Sequence, residues 1–121
     1  MANELTVITS IAFVKGDYSQ SFIPSAPFSL TVTGTKYIKN VQNIGITIEA
    51  LSVGDLTTPG FMIAINRDLT NYVELFESIS AVTPFAKLKA GEPCLVRLGC
   101  TAPAAKANTA PINLEYLIIE N

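Results

Sequence analysis

Residues 94–100 read CLVRLGC and hold both cysteines of the chain. Two thiols so close in sequence raise three chemistries: a disulfide, a metal site and a reactive nucleophile. An extended run of this length sets Cys94 and Cys100 roughly 20 Å apart, at about 3.3 Å per residue. A disulfide needs Cα atoms within about 7 Å, so one straight strand does not close it. The chain contains no histidine. A tetrahedral metal site therefore lacks its commonest nitrogen ligand, and neither a Cys–His nor a Ser–His pair can form. The preferred reading is a strand in which Cys94 and Cys100 act as small apolar residues, and a bridge to a neighbouring subunit is the alternative.

Other residue types that carry chemistry are sparse. Asn66, Asp68 and Asn71 offer clustered oxygens of the kind a calcium ion takes. The same residues also stabilise turns by bonding their own backbone, which is the reading preferred here. Glu74 and Glu77 are the closest carboxylate pair, and their spacing suits a polar strand face running into a loop better than the acid pair of a glycosidase. Tyr18, Tyr37, Tyr72 and Tyr116 are candidates for stacking on a sugar; Tyr37, Tyr72 and Tyr116 also suit the core or rim of an apolar-alternating strand. Arg97 is a charge inside an apolar run, expected on an outer face or in an ion pair across a subunit interface. No glycine-rich phosphate loop occurs. Catalytic, cofactor-binding and metal-ligating residues are accordingly assigned to none, and the chain is not expected to be an enzyme.

Bulk properties point the same way. The 121 residues are one domain's worth, 49% hydrophobic and only 15% charged, with a formal net charge of −2. A chain this apolar hides much surface either internally or against partners. The eight basic residues are scattered, with small pairs at Lys36/Lys39 and Lys87/Lys89, so no nucleic-acid footprint is expected. No apolar run reaches the roughly 18 residues of a membrane span. MANELTVITS shows no basic stretch before an apolar run, so a secretory signal is not expected and folding in a cytoplasm is.

The elements that must position these residues read as strands. Leu5, Val7, Ile11 and Phe13 are apolar at odd positions in LTVITSIAFV, with Thr6 and Ser10 between them. Ile46 and Ile48 alternate with Thr47 and Glu49 in GITIEAL, Ile112, Leu114, Tyr116 and Ile118 stand against Asn113 and Glu115 in INLEYLII, and GFMIAIN gives Phe61, Ile63 and Ile65 at the same period. Each is expected to turn that face to a core. Lys15-Gly16-Asp17 ends the first strand. Asn66–Asn71 and Lys89–Glu92 read as hairpin turns. Thr101–Pro111 is a small-residue stretch too short for an isolated helix. About eight strands result, with turn signals every 8–12 residues, which predicts a single-domain, all-β antiparallel β-sandwich, jelly-roll-like, over residues 1–121. Residues 1–4 are expected to form an extended N-terminal arm.

Two stretches carry a resemblance: TPGFMIAINRDLTNYVELF (58–76), and FAKLKAGEPCLVRLGC (85–100) with AKANTAPINLEYLIIEN (105–121). Together with TVTGTKYIKNVQNIGITIEALSVGDL upstream, their order resembles small virion structural proteins of tailed bacteriophages. The resemblance covers residues 30–121. It implies a capsid decoration or cement protein that binds the major capsid protein on the outer shell, as a homotrimer, with assembly in the host cytoplasm. It implies no catalytic residues, and no nucleic-acid or membrane partner. A tail, neck or fibre component is the alternative within the same particle. A carbohydrate-binding host-attachment module is the alternative from another class.

Overall fold

A computed structural model describes residues 4–121. The described residues are all-β and form twelve strands with no helix. The chain divides after Thr33 into two compact units. Residues 1–3, most of the expected arm, lie outside the described residues. Glu4 accepts a hydrogen bond from the Val32 amide through Oε1 at 3.0 Å.

The N-terminal unit consists of two antiparallel pairs. β1 (Leu5–Val7) pairs with β4 (Phe28–Leu30), and β2 (Ile11–Lys15) with β3 (Tyr18–Phe22). Gly16, at φ 60, makes the β2–β3 turn, a backbone region that glycine enters without strain. LTVITSIAFV is thus two strands rather than one, and the expected inward face is not buried: Ile11 is 70% and Phe13 48% exposed.

The second unit is a sandwich-like pair of four-stranded sheets. The first sheet has the order β10-β7-β12-β5, built from β5 (Tyr37–Ile44), β7 (Pro59–Asn66), β10 (Pro93–Arg97) and β12 (Ile112–Glu120). The other has the order β6-β11-β8-β9, from β6 (Glu49–Ala50), β8 (Val73–Phe76), β9 (Ala86–Leu88) and β11 (Ala104–Ala107). Every pairing is antiparallel. Between the sheets lies one core, in which Ile44, Met62, Ile112, Leu114, Tyr116 and Ile118 meet Val73, Leu75, Leu88, Ala105 and Ala107.

β12 follows its expected alternation, with Ile112, Leu114, Tyr116 and Ile118 inside. β7 takes the opposite phase. Met62, Ala64 and Asn66 are buried, while Ile63 is 41% exposed and Phe61 and Ile65 are half-buried on the outer face. Both faces of β7 are apolar, so periodicity alone could not choose between them. GITIEAL forms no strand through Ile46 and Ile48; only Glu49–Ala50 pairs, and Ile46 lies exposed after the end of β5. The small-residue stretch after Thr101 contains β11, an interior strand whose alanines let the sheets approach.

Neither expected hairpin is one. Residues 67–72 carry the chain from β7 in the first sheet to β8 in the other, and Lys89–Glu92 carry it back from β9 to β10. The two corners are tied together by bonds from the Asn66 amide to Glu92 O and from the Gly91 amide to Asn66 O. Gly91 sits at φ 80 in this corner.

Candidate interaction surface

The residues singled out for chemistry are placed apart and are largely satisfied within the fold. Cys94 and Cys100 are free thiols, half-buried beside the core. Burial pushes both thiols up in pKa, and the Glu77 charge raises Cys100 further. Both are thus protonated and poorly nucleophilic at neutral pH. Glu77, Phe85, Val96, Arg97, Leu98 and Cys100 line a small hollow, in which the Glu77 charge disfavours the Cys100 thiolate. Glu74 faces Lys87 and Lys106 in the strand register and is not joined to Glu77.

The side-chain oxygens of Asn66 and Asp68 accept from backbone amides, and Asn71 Oδ1 accepts from the Thr109 hydroxyl at 3.0 Å. Asn66 is fully buried; its Nδ2 donates to Asn71 O and Leu88 O, and its Oδ1 accepts from the Asp68 amide. Asp68 Oδ2 accepts from the amides of Thr70 at 3.1 Å and Asn71 at 2.6 Å. The amides of Asn71 and Thr70 hold the Asp68 carboxyl below the ordinary aspartate value. This is a corner built by Asx bonding.

Nor do the tyrosines of the second unit form a platform. Tyr37 is on the outer face of the first sheet. Tyr72 lies outside the other sheet beneath the Lys87 ammonium, 4.1 Å from the ring centroid. Tyr18 belongs to the N-terminal unit. Tyr116 is core, its hydroxyl 2.6 Å from Ser52 O, 3.1 Å from Gln42 Oε1 and 3.2 Å from Asn40 Nδ2. Arg97 points outward over the Phe61 ring at 4.5 Å and donates to Asn121 Oδ1 at 2.8 Å, so this chain itself supplies its partners.

What the fold leaves uncovered is apolar. The β2–β3 register places Ile11 opposite Phe22, Phe13 opposite Gln20 and Lys15 opposite Tyr18. In an antiparallel pair these share one face. Ile11, Phe13, Tyr18 and Phe22 therefore make a common apolar face, and they are 70%, 48%, 76% and 73% exposed. Among the described residues of the N-terminal unit none is buried. A second apolar area covers the outside of the first sheet. The registers there align Lys39, Leu117, Ile63 and Leu95 across the four strands, one row away from Val41, Glu115 and Ile65. Arg67 Nη2 contacts Glu115 Oε1 at 2.6 Å on this face.

Neither area was assigned from sequence. Their signal is an apolar run with no polar alternation, as in IAFV and YLII, which marks a strand apolar on both sides. In comparisons with known proteins, no family model matches this chain, and no curated protein or solved structure matches it.

Proposed function

We propose that this chain is a structural protein of a tailed-phage virion, a decoration or cement protein that binds the major capsid protein on the outer shell and stabilises it. One observation carries the reading: the β2–β3 hairpin turns Ile11, Phe13, Tyr18 and Phe22 to solvent on one face. A two-stranded hairpin is marginal by itself in water, and a segment of this size without a buried core needs a surface to order it. The shell supplies that surface, and the apolar face of the hairpin is the attaching element. Repetition over a lattice of identical sites adds avidity to each small contact. Further support comes from the low charge of the chain and from chemistry-bearing residues committed to turns and core.

The test is quantitative mass spectrometry of purified virions, with particle occupancy by Phe13→Ser and Phe22→Ser proteins. A copy number comparable to that of the major capsid protein, with occupancy lost in both variants, supports the reading. A few copies per particle moves the chain to the tail or neck. Unchanged occupancy in the variants rejects the hairpin as the attaching element.

A further inference from the structure

The four edges of the two sheets are unlike one another. β6 and β9 are two and three residues long. β10 carries Pro93 and Arg97 on its free side, the devices that blunt an edge. β5 is an edge of eight residues with no proline and no bulge.

Its register defines which groups are free. The Glu120 amide bonds to Lys36 O, so the even-numbered residues of β5 exchange ladder bonds with β12. The amides and carbonyls of Tyr37, Lys39, Val41 and Asn43 therefore point away from the sheet, and among the described residues no hydrogen bond reaches them. All four side chains are exposed, Tyr37 at 69% and Val41 at 57%. The strand is also held rigid from within. Asn40 and Gln42 reach the Tyr116 hydroxyl, and Gln42 bonds Ala50 O and the Ser52 amide. A pre-ordered edge loses little freedom on pairing.

We propose that β5 pairs antiparallel with β5 of a second copy of this chain across a two-fold axis at Val41. Val41 then faces the partner's Val41, and Lys39 faces the partner's Asn43. Each strand donates from Lys39, Val41 and Asn43 and accepts at the same residues. The ladder stops there because the Gly45 amide is bonded to Glu49 Oε2 and its carbonyl accepts from Ala107. Charge selects this register. A dyad at Lys39 sets two ammonium groups directly opposite, and one at Asn40 sets them on the diagonal. The Val41 register separates them and joins the two apolar outer faces into one eight-stranded surface. This contact is closed and two-fold. It deepens the virion reading above by supplying a pair as the unit that reaches the shell.

Sedimentation of the full chain over a concentration series, with amide hydrogen exchange by NMR, tests the pairing. A dimer is expected, with the amides of Lys39, Val41 and Asn43 becoming protected as concentration rises and that of Tyr37 not. Val41→Pro removes only an outward amide, which an edge strand tolerates, and should weaken the dimer about a hundredfold. Val41→Lys keeps the backbone, sets two ammonium groups face to face, and should also give monomer. A monomer at millimolar concentration, a trimer, or a dimer that survives both variants with these amides exchanging freely overturns the proposal. Occupancy on virions is read separately. A monomeric chain that still coats particles ends the pairing alone, and a dimer that fails to coat them ends the shell reading alone.

Discussion

The Tyr116 hydroxyl lies 2.6 Å from the carbonyl oxygen of Ser52 and links the middle of β12 to the segment that follows β6. Burial raises the pKa of this phenol, so it stays a neutral donor across the working pH range. Tyr116→Phe keeps the ring but strands Ser52 O and removes a partner of Asn40. The expected loss is about 1–2 kcal/mol, read as a lower urea midpoint at unchanged slope.

Asn66 gives a larger effect. Both carbonyls that its amide group serves, Asn71 O and Leu88 O, are acceptors. Asn66→Asp turns a carboxylate toward them in a fully buried site. A loss of about 3 kcal/mol or more is expected at neutral pH, easing in acid as the new carboxyl gains a proton. Chemical denaturation at pH 7 and pH 4 checks both the size and the direction.

Asp68 sets an acid limit. Its carboxyl is held below the ordinary value of 3.8 by the amides of Asn71 and Thr70. A depressed folded pKa gives stability that is present above the unfolded value and is lost as pH falls through the folded one. Stability should therefore fall below about pH 4, and Asp68→Asn should flatten that part of the curve. Thermal midpoints between pH 2 and 6, compared for the two proteins, give the test.

Two glycines should respond in opposite ways. A Cβ on Gly60 would stand 2.9 Å from Ile119 O and 3.0 Å from Asn121 Cα, both main-chain atoms of the neighbouring strand and its end. Gly60→Ala should cost about 1–3 kcal/mol, because a strand must shift to admit the methyl group. Nothing lies within 4 Å of the corresponding position on Gly99, and its φ lies outside the left-handed region. Gly99→Ala should be neutral or stabilise by up to about 1 kcal/mol through the unfolded chain. Paired melting curves decide it.

The sequence displayed some of this fold and hid the rest for physical reasons. β12 was legible because Ile112, Leu114, Tyr116 and Ile118 alternate with Asn113 and Glu115. β7 was read with its faces exchanged because Phe61, Ile63 and Ile65 are larger than Met62 and Ala64 taken together with Asn66. The inner face went to the set whose amide could be satisfied by Asn71 and Leu88. β11 was hidden because Ala104, Ala105 and Ala107 carry no strong strand signal, yet small side chains suit the interior of the second sheet. The corner residues Asn66–Asn71 announced a turn correctly but not its destination, since turn chemistry is the same whether the next strand joins the same sheet or the opposite one. The bare apolar faces were legible only as missing alternation, which equally describes a strand buried on both sides.

The first sheet places β12 between β5 and β7, although β12 is the last of the twelve strands to be made. Until Ile112–Glu120 has left the ribosome, β5 has no neighbour and β7 has only β10. A chain that stops short of Ile112 cannot close the sandwich, and its free strand edges mark it for proteolysis. The emergence of β12 is therefore the event that commits the second unit to its fold, and chains interrupted before it are exposed to removal as free edges.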